Sequence, residues 1–105
     1  MKKIKINYYG EEKEVEVRKG FYAEPKNLVL ALYEEEEVLG IVTVNFSDEI
    51  LENDRAFLDT NNFPWIEEAL KDCGFYLYRN KQSGFCSYPL WVFDPCFLDQ
   101  CDNMA

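Results

Sequence analysis

The chain has 105 residues, of which 48% are apolar and 16% aromatic, enough to bury a core and too apolar for a disordered segment. It carries 11 Lys and Arg against 20 Asp and Glu, a net charge of −9, and it has no histidine. That balance disfavours direct binding to nucleic acid phosphates, and the missing imidazole excludes His-based acid–base work, Ser-His-Asp and Cys-His nucleophiles, and any zinc site that needs histidine.

No run reaches the ~20 apolar residues of a membrane span. Met1–Asn7 begins basic but alternates at once, so it reads as a strand rather than a signal peptide. The expectation is one domain over residues 1–105 with a cytoplasmic address. Charge is unevenly spread: residues 1–26 hold seven Lys/Arg and five Glu, whereas residues 27–105 hold four against fifteen acidic groups.

Taken in order, Lys3–Tyr9 alternates, with Ile4, Ile6 and Tyr8 on one side and Lys3, Lys5 and Asn7 on the other. Val15 and Val17 alternate with Glu14, Glu16 and Arg18, and Gly10-Glu11-Glu12 between the two runs reads as a hairpin loop. Lys19–Lys26, broken by Gly20 and Pro25, is a connector. Asn27–Tyr33 and Val38–Phe46 are the most apolar segments and predict a second hairpin in the middle of the sheet, turning at Glu34–Glu37. In a simple meander, loops 10–12 and 34–37 share one end of the sheet. Glu11, Glu12, Glu34, Glu35, Glu36 and Glu37 then make an acidic rim, while Lys19 and Lys26 face Asp48, Glu49, Glu52 and Asp54 at the other end.

Ser47–Asp54 is a polar loop, and Arg55–Leu58 reads as a short strand. Leu58–Gly74 holds the one convincing helix, of about three turns. Asn62 suits the N-cap, Pro64 the first turn, and Gly74 the left-handed residue that closes a helix. Phe63, Ile66, Ala69, Leu70 and Cys73 recur every three or four residues and form its apolar stripe. Phe75–Tyr78 is extended, with a turn at Asn80–Gly84, and Phe85–Tyr88 and Leu90–Phe93 flank Pro89, which marks an edge or a bend. Asp94–Ala105 reads as an irregular tail. The expected fold is α+β: an antiparallel sheet of about five to six strands with one amphipathic helix packed on one face.

The four cysteines, at 73, 86, 96 and 101, form no Cys-x-x-Cys pair, so no metal site or other cofactor is expected. Cys73 reads as a core residue, and Cys96 and Cys101 as tail thiols. Cys86 lies in a Gly-Phe-Cys-x-Tyr-Pro context but lacks a histidine base. Asp59, Thr60, Asn61 and Asn62 put four polar side chains at the helix start, beside amides that suit an anion, although a cap and turn explain them as well. Tyr76, Tyr78, Tyr88 and Trp91 fill strands or, if outward, anchor a protein partner.

Asp59–Glu68 and Gln82–Leu90 together carry an Asp-Thr-Asn-Asn-x-Pro and a Gly-Phe-Cys-x-Tyr-Pro-Leu pattern. In these segments, and in Thr43-Val44-Asn45, the chain resembles a family of small bacterial proteins known only as a domain of unknown function. The resemblance implies a bacterial protein, often one carried on mobile or conjugative elements, and brings no activity and no catalytic residue with it.

No residue pattern points to a reaction. The leading reading is a non-enzymatic accessory factor that binds another protein, a basic one, through acidic and aromatic surface. A bolder form is a DNA-mimicking inhibitor of a nucleic-acid-binding protein. The competing class is a small-ligand binder or enzyme using Asp59, Thr60, Asn61 and Asn62 with Cys86 and Tyr88, which requires those two segments to meet. An edge-paired homodimer is the third.

Overall fold

Alternation at the N-terminus produces the first hairpin. In the computed structural model, which describes residues 1–104, β1 (Lys2–Tyr8) and β2 (Glu11–Phe21) pair antiparallel from Lys2↔Val17 to Tyr8↔Glu11. Ile4, Ile6, Val15 and Val17 join the core, while Lys3, Lys5, Glu12 and Glu14 stay exposed. The turn is tighter than expected. It consists of Tyr9 and Gly10 alone, at φ 50° and 81°, and Glu11 and Glu12 belong to β2. Two positive φ values in a two-residue turn match the twist of the strands it joins.

β2 continues through Gly20, so the connector is residues 22–27 rather than Lys19–Lys26. The next strand, β3 (Leu28–Glu34), is buried from Leu28 to Tyr33 because it lies between β2 and β4 (Glu37–Ile41). Glu34 pairs with Glu37, which leaves Glu35 (φ 57°) and Glu36 as the turn.

Val38–Phe46, expected as a single strand, is divided between two sheets. Val42 donates its N–H to the Leu30 carbonyl at 3.0 Å and accepts the Asp59 N–H on its own carbonyl at 2.8 Å. One bond faces each sheet, so the chain crosses at this residue. It continues as β5 (Thr43–Val44), paired with β6 (Arg55–Leu58). The expected single sheet is therefore two. The first has the order β1-β2-β3-β4, with β9 (Asp102–Asn103) added parallel to β2; the second has the order β5-β6-β8-β7. Here β7 is Gly74–Ser83 and β8 is Cys86–Phe93.

The three-turn helix is not formed. Between β6 and β7 only α1 (Ile66–Ala69) is regular, and Asn62 does not cap it. Bonds to the fourth residue back exist at Ala69 and Leu70, while Ile66 and Cys73 bond to the third residue back. The stripe nevertheless faces inward: Ile66, Leu70 and Cys73 are buried, with Phe63 and Ala69 packed against them. Trp91 on β8 donates to Glu67 Oε2 at 2.8 Å and ties the segment to the second sheet. Gly74 does not close a helix. It opens β7, where a Cβ would sit 2.1 Å from the Val92 carbonyl oxygen.

Pro89 lies inside β8, an inner strand rather than an edge. It is tolerated because the ladder to β6 ends at Leu90. The β7–β8 turn is Gly84-Phe85, not Asn80–Gly84. The tail, expected to be irregular, forms α2 (Pro95–Gln100), which sends Phe97 into the core, and then β9. Among the described residues no helix is long and apolar enough to cross a membrane.

Candidate functional site

The polar turn before α1 is held from within. Asp59, directly after β6 and with its N–H donated to the Val42 carbonyl, is only 8% exposed. Its Oδ1 accepts the Asn62 N–H at 3.1 Å and its Oδ2 accepts Asn62 Nδ2 at 2.9 Å. Asp59 is thus the acceptor that builds the turn and Asn62 the donor, the reverse of the expected roles. Asn61 is exposed.

The two segments do meet. Thr60 Oγ1 donates to the Ser87 carbonyl at 3.4 Å. Hydrogen bonding with Cys86 first, then burial and the charge of Asp59, push the Tyr88 phenol above its ordinary value. Tyr88 also packs on Phe46, which stands edge-on to Phe57. On the β5 side, the Tyr22 and Thr43 hydroxyls are 2.8 Å apart and Thr43 Oγ1 accepts the Leu30 N–H. Burial raises the Tyr22 phenol. Among the described residues no buried side-chain nitrogen or oxygen lacks a partner.

A second polar centre lies below, one that sequence reasoning missed. Asn27, 3% exposed, donates Nδ2 to Asn45 Oδ1 (2.9 Å) and to the Glu49 carbonyl (2.7 Å), and its Oδ1 accepts the Leu51 N–H at 2.8 Å. Asn45 in turn donates to the Pro25 carbonyl. The Thr43-Val44-Asn45 segment therefore stitches the 22–27 connector to the 46–54 loop. The cations facing that loop come from β7 and β6, not from Lys19 and Lys26: Arg79 reaches Glu49 at 2.7 Å, Lys81 reaches Asp48 at 2.6 Å, and Arg55 reaches Asp54 at 3.2 Å and Glu52 at 3.3 Å. Lys19 donates instead to the Leu98 carbonyl.

The turns at 9–10 and 35–36 lie at the same end of the first sheet, since β1 and β3 run in the same direction. Their glutamates are interleaved with cations. Lys13 reaches Glu34 at 3.0 Å, and Arg18, lying 4.1 Å over the Tyr33 ring, holds Glu16 at 3.0 Å and Glu36 at 3.3 Å. No ion pair involves Glu11, Glu12, Glu35 or Glu37 among the described residues.

Beside this end is an aromatic cleft of about 270 Å³ lined by Tyr8, Tyr9, Asn62, Phe63, Pro64 and Trp65. Tyr8 meets Tyr9 at 4.5 Å and Trp65 at 6.2 Å between ring centres, Trp65 meets Phe63 at 5.8 Å, and the Phe63 ring lies against Gly40. Tyr9 is 90% exposed. Its one visible sequence signal was an aromatic residue directly before the turn glycine. Of the four aromatics expected to face outward or fill strands, Tyr78 is exposed, Tyr76 and Tyr88 are half-buried, and Trp91 is inside.

Arginine hydrogen bonds from Arg18 and Arg79 hold the carboxyls of Glu16 and Glu49 below their ordinary value of 4.5. The unfolded chain takes up those protons first as pH falls, so the two groups stabilise the fold fully above the ordinary value and progressively less below it. Denaturation midpoints should therefore decline below about pH 4.5, and less steeply in Glu16→Gln/Glu49→Gln.

No curated protein and no solved structure matches the chain. A family profile matches residues 4–104. By that match the chain belongs to the family described as a domain of unknown function (DUF4313).

Proposed function

We propose that this protein is a non-enzymatic accessory factor that binds a basic segment of another protein, seating an apolar side chain of that segment in the Tyr8–Trp65 cleft. The observation that carries the reading is the cleft itself: an open slot of Tyr, Trp, Phe and Pro in a chain with a net charge of −9. Tyr and Trp are the residue types that anchor interfaces, because they offer large apolar area at small entropic cost and a polar edge to the rim. Glu11 lies opposite Tyr8 in the strand register, and Lys13, whose Nζ is 5.8 Å from the Tyr8 ring centre, is bound to Glu34, so the acidic excess at this end favours a Lys- or Arg-bearing partner. Lys13 and Arg18 interrupt the run of glutamates, which suits a protein partner better than a continuous imitation of DNA phosphates. The self-contained bonding of Asp59, Thr60 and Asn62 favours a structural role for that turn.

The test is a panel of short peptides combining Lys or Arg with one Leu, Pro or aromatic residue, read by fluorescence anisotropy at low and high salt. Basic peptides should bind, more weakly in salt, and Tyr9→Ala should cost roughly tenfold in affinity while leaving the fold intact. Equal binding of acidic peptides, or no effect of Tyr9→Ala, would overturn the reading.

A further inference from the structure

β1 is an edge strand. It pairs only with β2, and alternation in an antiparallel pair aims every second residue's amide and carbonyl away from the partner. Those outward groups make no other backbone bond among the described residues. Along this edge runs a groove of about 410 Å³, walled on one side by Lys2–Asn7 and on the other by Trp65, Ala69 and Cys73 of the helical segment. An unpaired strand facing a helix across a groove is the arrangement in which an extended peptide adds as a further strand.

Local charge selects what can enter. Lys2, Lys3, Lys5 and Lys71 line the groove against Glu68 and Asp72, a basic strip on a protein of net charge −9. Lys71 is bound to Glu68 at 2.7 Å and Lys3 lies 3.8 Å from Glu14, whereas no ion pair involves Lys2 or Lys5 among the described residues. A second copy of β1 is a poor occupant, because antiparallel pairing of two such edges sets lysine against lysine. Lysines on an edge thus guard against self-pairing, and the same lysines reward a strand of opposite charge.

The geometry points to the β1 edge as a docking site for an acidic extended segment of another protein, added antiparallel or parallel to Lys2–Asn7 beneath α1. It is a surface separate from the Tyr9 side of the aromatic cleft, and it takes the opposite charge.

The experiment is an NMR titration of the labelled protein with an eight-residue peptide alternating Glu and Val, beside one alternating Lys and Val. The acidic peptide should shift and protect amides of residues 2–7 and 65–73, with affinity falling as salt rises. Lys3→Glu/Lys5→Glu should weaken it roughly tenfold, and Tyr9→Ala should leave it unchanged. If the charge reversal disturbs the fold, Lys3→Gln/Lys5→Gln should give a smaller loss of the same sign. Equal binding of the basic peptide, shifts confined to other surfaces, or peptide-free dimerisation through β1 would each overturn the proposal.

Discussion

Gly74→Ala should lower stability by about 3 kcal/mol, seen as a reduced urea midpoint with little change in slope. The added Cβ would lie 2.1 Å from the Val92 carbonyl oxygen and 2.9 Å from Phe93 Cα. Both obstacles are backbone of the paired strand β8, so no side-chain rotation relieves them. The register at this point is Gly74↔Phe93, and Phe93 is 1% exposed, with its ring 5.8 Å from Phe97 and 6.3 Å from Trp91. Pushing the strands apart therefore also loosens the core beneath. A variant as stable as the parent would mean that the close approach of β7 and β8 is absent in solution.

Asn27→Ala should cost about 2 kcal/mol, because it strands three half-buried partners of a buried side chain at once. The Asn45 amide oxygen and the Glu49 carbonyl lose their donor, and the Leu51 N–H loses its acceptor. Hydrogen exchange at Leu51 should accelerate more than exchange in β1. Asn27→Asp keeps the acceptor and loses both donors, so it should protect Leu51 yet remain destabilised. Uniform acceleration across the chain in both variants would contradict the local assignment.

The first hairpin was readable because Ile4, Ile6, Val15 and Val17 alternate with charge, and one buried face imposes one register. The second pair was readable from its apolar composition, but composition does not say which sheet receives a strand. The split at Val42 is set by two backbone bonds and leaves no trace in side-chain pattern. The helix was read too long for a related reason: apolar residues at spacings of three and four satisfy a single α-turn flanked by tighter turns as well as a continuous helix. Gly74 had two physical uses, a left-handed cap or a backbone contact, and only the position of β8 decides between them. Asp59–Asn62 was legible as a polar turn, although the donor and acceptor roles were reversed, and its meeting with the Cys86–Tyr88 segment was a condition of one reading rather than something the residues showed. The aromatic cleft was not legible, since Tyr9 and Trp65 are brought near one another only by the packing of α1 against β1.

The parallel addition of β9 to β2 bears on the order in which the chain assembles. Arg18 and Lys19 wait for Asp102 and Asn103, and the Met104 N–H then bonds to the Lys19 carbonyl at 2.8 Å. Nearly the whole chain must be looped to make this contact, whereas the β1–β2 hairpin closes over two residues. Loop entropy thus separates the two events in time. The hairpin should therefore form early and present a half-finished seam, with Asp102–Met104 as the fastener that shuts it later.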